Sequence, residues 1–246
     1  MEFSDSERER ISRMAAALAK NVPPSSHYLE LARAYSQGKI SALRYSEPQG
    51  GYVYYVYPSN VKRVLPEEQF QERAVMLCRS DTGDLYTKPI PTLPGDLGAK
   101  VEKSVCYPDR PVGVLHTHPA AAVFPSPEDI AVMRDRDISV MCVAGRDERN
   151  DDSIYPTLCF YRYDWVDSGD VLRAAEIVDE KIRSLVATDT FRDVFRIDVY
   201  DKNGIRFTYI FPPPGFTRYV VSRLREDPAL NSVFDVEYRV YREGEV

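Results

Sequence analysis

The 246-residue sequence contains three histidines, His27, His116 and His118, and two of them stand one residue apart. On an extended strand side chains alternate with a period of two, so an H-x-H pair projects both imidazoles from one face. Two imidazoles at a strand end can bind one zinc ion if a third ligand arrives from elsewhere. Asp129 is the candidate, one loop and one helix start beyond His118. Two histidines and one carboxylate leave a fourth tetrahedral position for water, the arrangement of catalytic rather than structural zinc. Zinc would lower the pKa of that water to roughly 7. His27, beside Pro23, Pro24, Ser25 and Ser26, reads as a surface or capping residue.

The elements that must hold these groups follow from periodicity and punctuation. VGVLHTH (112–118) reads as a buried strand, and Ser126-Pro127-Glu128-Asp129 opens a helix. Serine suits the N-cap, proline the first helical position and an acid the third, which accounts for Ser126 and Asp129 without any chemistry. The capping and metal readings are compatible. ERAVMLCRS (72–80) and DLYTKPI (84–90) alternate as strands around a turn at 81–84, and a Pro/Gly/Asp loop, PTLPGDLG, follows. ISVMCVA (138–144) and LCFYRYDW (158–165) are further strands, with the charged GRDERNDD (145–152) between them as a solvated turn.

Upstream, residues 4–20 carry a helical stripe at Ile11, Met14, Ala15 and Leu18 with Ser4 or Ser6 as N-cap, and a second helix runs from Ser25 to Ala34. A tyrosine-rich hairpin follows over 40–57. Downstream, Val171, Ala175, Val178, Ile182 and Leu185 mark an amphipathic helix. FRIDVYDKNGIRFTYIF (195–211) is a hairpin turning at Asp201–Gly204, and a helix over Thr217–Arg225 and a strand, FDVEYRVY, close the chain. This tail forms a small domain or extends the first sheet. The expected architecture is mixed α/β (α+β), divided into an N-terminal part (1–60), a core (61–166) and a C-terminal α/β extension (167–246).

His116-Thr117-His118-Pro119, then residues up to 125, then Ser126-Pro127-Glu128-Asp129, resembles the JAMM (MPN-plus) metallopeptidase family. That family's motif is H-x-H-P, with seven residues between the second histidine and a serine, and an aspartate three beyond. The likeness spans about residues 61–166. It implies a three-layer core with a central mixed sheet, and one Zn2+ per chain on His116, His118 and Asp129. It implies that Ser126 stabilises the tetrahedral oxyanion. It also calls for an upstream glutamate as general base, at the start of a strand. Glu72, which opens ERAVMLC, is the best candidate, with Glu67, Glu68 and Glu102 as competitors. The small residue, glycine and leucine pair that often follow this glutamate in the family are absent here. The resemblance implies a zinc-dependent peptidase or isopeptidase acting on a protein or peptide, such as a ubiquitin-like modifier or a protein tail. Two alternatives remain: a non-catalytic MPN-type binding or scaffold protein, and an exported JAMM-like effector peptidase. Retention of all three ligands argues against the scaffold.

Acidic residues outnumber basic ones, 38 to 32, for a net charge of −6, the reverse of what phosphate-gripping nucleic-acid binders show. The scarcity of histidine removes amidohydrolases, which need two more beyond an H-x-H pair. H-E-x-x-H, the deaminase H-x-E with P-C-x-x-C, and G-x-S-x-G are all absent. Cys78, Cys106, Cys142 and Cys159 form no C-x-x-C pair, and three of them lie in apolar runs, so they read as buried, reduced thiols. The charged start, without an apolar h-region, and the lack of any spanning apolar run lead to a cytoplasmic expectation with no membrane partner; leaderless export is the alternative.

Overall fold

The structure, a computed structural model, describes residues 3–22, 41–47, 50–56, 62–65, 72–91, 99–118, 122–149, 152–186, 195–200, 206–211 and 215–246. The first helix, α1, runs Asp5–Leu18 behind a capping box: Glu7 N–H donates to Ser4 Oγ, and Ser4 N–H donates back to the Glu7 carboxylate at 2.9 Å. Ile11 and Ala15 of the expected stripe are fully buried, while Met14 and Leu18 flank them, partly buried. Strands β1 (Ser41–Glu47), β2 (Gly50–Val56) and β3 (Lys62–Leu65) form a separate antiparallel sheet in that order. The tyrosine-rich hairpin thus gains a third strand beyond residue 60. The helix expected over 25–34 and His27 lie outside the described residues.

The central sheet starts with the hairpin β4 (Ala74–Arg79) and β5 (Leu85–Pro89), whose turn uses Gly83 at φ +93°. Strand β6 (Arg110–Thr117) carries His116, helix α2 (Pro127–Asp135) follows, and β7 (Val140–Ala144) returns parallel to β6. The chain then enters β8 (Asp147–Arg149) and β9 (Asp152–Arg162), which pair antiparallel. The charged segment read as a solvated turn is therefore a short hairpin, with Asp147 buried. The charges of Asp147, Glu148 and Arg149 lie in β8 itself, opposite Ile154, Ser153 and Asp152, where they mask the strand pattern.

Helix α3 (Ser168–Val186) buries Val171, Ala175, Val178, Ile182 and Leu185, the stripe expected from sequence. Strands β10 (Phe195–Tyr200) and β11 (Arg206–Phe211) pair as a hairpin; its turn lies outside the described residues. Helix α4 (Phe216–Arg225), a short turn at Pro228–Asn231 and strand β12 (Phe234–Arg242) complete the chain. Strand β12 pairs with β9, giving the order β12-β9-β7-β6-β4-β5, antiparallel throughout except for β6–β7. Of the two readings of the tail, its last strand takes the second and extends the main sheet.

Helices cover both faces. Met76, Val114, Met141 and Phe160 meet α2, α3 and α4 on one face, while Leu77, Leu115, Val140 and Tyr161 meet α1 on the other. Gly113 sits where β6 and β7 approach: a Cβ there would lie 2.3 Å from Val140 Cγ1 and 2.8 Å from the Val140 carbonyl oxygen. The cysteines are buried as expected but not reduced. Cys78 is bonded to Cys106 and Cys142 to Cys159, with Cα–Cα separations of 5.6 and 4.1 Å. The second bridge joins directly opposed residues of β7 and β9, a neighbourhood that register creates and sequence spacing conceals. No helix among the described residues is long and apolar enough to cross a membrane.

Candidate metal centre

The β6-α2-β7 crossover brings the carboxyl end of a parallel strand against the start of a helix, the place where open α/β sheets hold ligands. His116 is the next-to-last residue of β6 and is 3% exposed; His118 lies just past the strand, its N–H donating to the Ala144 carbonyl at the end of β7 (3.0 Å). Strand β4 pairs antiparallel with β6 and sets Ala74 opposite His116, so Glu72, two residues before Ala74, arrives at the same end of the sheet.

Helix α2 supplies the carboxylate. Asp129 N–H donates to Ser126 Oγ at 3.1 Å and Ser126 N–H donates to Asp129 Oδ2 at 2.7 Å, a reciprocal cap that locks the aspartate's rotamer. The same carboxylate faces both imidazoles: Oδ1 is 3.3 Å from His116 Nε2 and Oδ2 is 3.5 Å from His118 Nε2. The two Nε2 atoms are 3.2 Å apart, and Glu72 Oε1 is 3.6 Å from His118 Nε2. Two ligands about 2.1 Å from zinc at the tetrahedral angle are themselves about 3.4 Å apart, so these spacings suit three ligands of one small cation.

Orientation agrees with that reading. His118 Nδ1–H donates to the Ala122 carbonyl at 3.0 Å, so in the neutral ring Nε2 is the lone-pair nitrogen turned towards the cluster. His116 Nδ1 is buried without a hydrogen-bond partner among the described residues. The Ala122 carbonyl had no sequence signal, since any residue can supply a backbone oxygen.

Two carboxylates and two imidazoles share a pocket largely shielded from water, their side chains 4–18% exposed. Burial pushes the Asp129 carboxyl up, but the His116 charge and hydrogen bonds from both rings outweigh it and hold the group well below its ordinary value. Burial raises Glu72, and the Asp129 charge adds to that rise against the opposing pull of the two histidines. Burial alone would depress His118; the Asp129 hydrogen bond and the charges of Glu72 and Asp129 instead push it up to about 9.

The structure thus brings together Glu72, His116, His118 and Asp129, with Ser126 tied to Asp129 as its cap. It does not bring Glu102 to them; that side chain is half exposed and paired with Lys100 at 2.9 Å. Glu67 and Glu68 lie outside the described residues. Compared with protein-family models, with curated proteins and with solved structures, the chain has no match.

Proposed function

We propose that this chain is a zinc-dependent peptidase or isopeptidase of the JAMM type, acting on a protein or peptide. The observation that carries the proposal is the convergence of His116, His118 and Asp129, from a strand end and a helix start, with Glu72 beside them. His116, His118 and Asp129 would hold one Zn2+, which when bound supplies Lewis acidity and makes a water acidic enough to attack at neutral pH. Glu72 is the general base: it takes a proton from the attacking water and returns it to the leaving amine. The Ser126 hydroxyl accepts from Asp129 N–H and keeps its own proton to donate, as stabilisation of a tetrahedral oxyanion requires. A ubiquitin-like modifier or a protein tail is the substrate class that the motif's resemblance brings.

Metal analysis tests this reading. Wild type under zinc-replete conditions should hold about one zinc per chain, His118→Ala should hold none, and Glu72→Gln should keep it. A wild type without zinc would overturn the proposal. One observation favours the exported form of the same reading: both cysteine pairs are disulfide-bonded, and such bonds persist mainly in oxidising compartments. Alkylation of the protein drawn from its native source would find no free thiol among Cys78, Cys106, Cys142 and Cys159 if it is exported, and four if it stays in a reducing cytosol.

A further inference from the structure

The residue between the two histidines, Thr117, is 1% exposed and replaces a piece of backbone. Just beyond the Ala74–His116 pair, the last of the β4–β6 ladder, Arg73 and Thr117 are joined by hydrogen bonds. Thr117 N–H donates to the Arg73 carbonyl at 2.9 Å, as a ladder requires. The return bond is different: Arg73 N–H donates to the Thr117 side-chain Oγ1, at 3.0 Å, in place of the Thr117 carbonyl. The hydroxyl closes the ladder at the point where the chain leaves β4's side and turns to give the His118 N–H to Ala144.

Glu72 precedes Arg73 directly. Its carboxylate stands 3.6 Å from His118 Nε2, beyond hydrogen-bond reach, and no hydrogen bond to a described side chain fixes it. We infer that Thr117 is a positioning residue for Glu72: its hydroxyl pins Arg73 and so keeps the base carboxylate against the histidine pair. This rests on the proposed role of Glu72. Serine can supply the same acceptor; valine, of nearly the same volume, cannot, and it leaves the Arg73 N–H without its bond.

The test uses isotope-labelled full chain, read by NMR at fixed pH with and without Zn2+, in wild type, Thr117→Val and Thr117→Ser. In the valine variant the Arg73 amide should exchange roughly fivefold to tenfold faster, the loss of about one hydrogen bond. The Glu72 carboxyl carbon should shift in that variant, while zinc stoichiometry stays that of wild type. Serine should restore both signals. Thr117→Ala gives the same comparison if the valine variant does not fold. A valine or alanine variant with wild-type Arg73 exchange and an unmoved Glu72 carbon would overturn the inference, as would a serine variant that restores neither. Absence of zinc from wild type would remove the peptidase reading alone, because the Arg73 and Glu72 signals are read equally well in the metal-free chain.

Discussion

Asp129→Asn separates the helix-capping task of one carboxylate from the ligand task proposed for it. Asp129 Oδ2 accepts from Ser126 N–H at 2.7 Å, and the two carboxylate oxygens stand 3.3 and 3.5 Å from the imidazole nitrogens. Asparagine keeps an oxygen of the same reach, so the cap survives as a neutral hydrogen bond. It forfeits the charge assistance and the favourable placement of an anion at a helix start, together about 1–2 kcal/mol of metal-free stability. The loss for zinc is of another order. Removing an outer partner of a metal ligand already costs roughly 10–100-fold in affinity, and Asp129 is proposed as a ligand itself, so zinc binding should weaken by more than about 100-fold. Chelator competition reads the affinity, and urea unfolding of the metal-free chain reads the stability. Ser126→Ala should lose a similar amount of stability, about 1 kcal/mol, while keeping one zinc. An asparagine variant with wild-type zinc affinity would leave Asp129 as a helix cap only and break the ligand set.

Gly113→Ala should destabilise by about 1–3 kcal/mol, since the new methyl meets the Val140 backbone oxygen at 2.8 Å and β6 must move off β7; a thermal melt checks it. Reduction of the two disulfides, which span 28 and 17 residues, should cost about 3–4 kcal/mol each, seen as a lower urea midpoint with reductant. An unchanged midpoint would mean that the cysteines are not paired. In the metal-free chain His118 is raised from 6.5 to about 9, so its stabilisation is complete below pH 6.5 and is lost as pH rises through about 9. Urea midpoints of metal-free protein should therefore fall over that interval, and should do so less in His118→Gln.

What the sequence discloses and what it hides divide along local and non-local lines. The period of two around Thr117 and the capping pattern at Ser126–Asp129 are local, and they suffice to mark His116, His118 and Asp129 as candidate ligands. The stripe on α3 is local too, and each of its five residues is buried. Glu72 reaches the pocket only because β4 pairs with β6 in a register that sets Ala74 opposite His116. No spacing along the chain encodes that register, which is why resemblance rather than periodicity singled out Glu72. The cysteines fail for the same reason: each lies in an apolar run, which announces burial, but the Cys142–Cys159 neighbourhood exists only once β7 and β9 are aligned. Strand β12, from the far end of the chain, likewise joins β9 through pairing that its alternation alone does not specify.

The charges inside the cluster bear on what it can hold. Glu72 feels burial, both imidazoles and the Asp129 charge, and Asp129 is held by both imidazoles against burial, so with both rings neutral two buried carboxylates would share the cluster without a cation. Such an arrangement is costly, and proteins relieve it with protons or with a bound cation. The proton solution corresponds to the upward shifts of His118 and Glu72. It is also a strained one, because the His118 Nε2 that would carry the proton lies 3.2 Å from the corresponding nitrogen of His116 and is shared among several acceptors. A divalent cation answers the same imbalance with one centre that both nitrogens and the Asp129 carboxylate can address at once, and it frees Glu72 to accept a proton. If the proposed zinc binds, it competes with protons for the same cluster, so zinc uptake near neutral pH should release protons from His118.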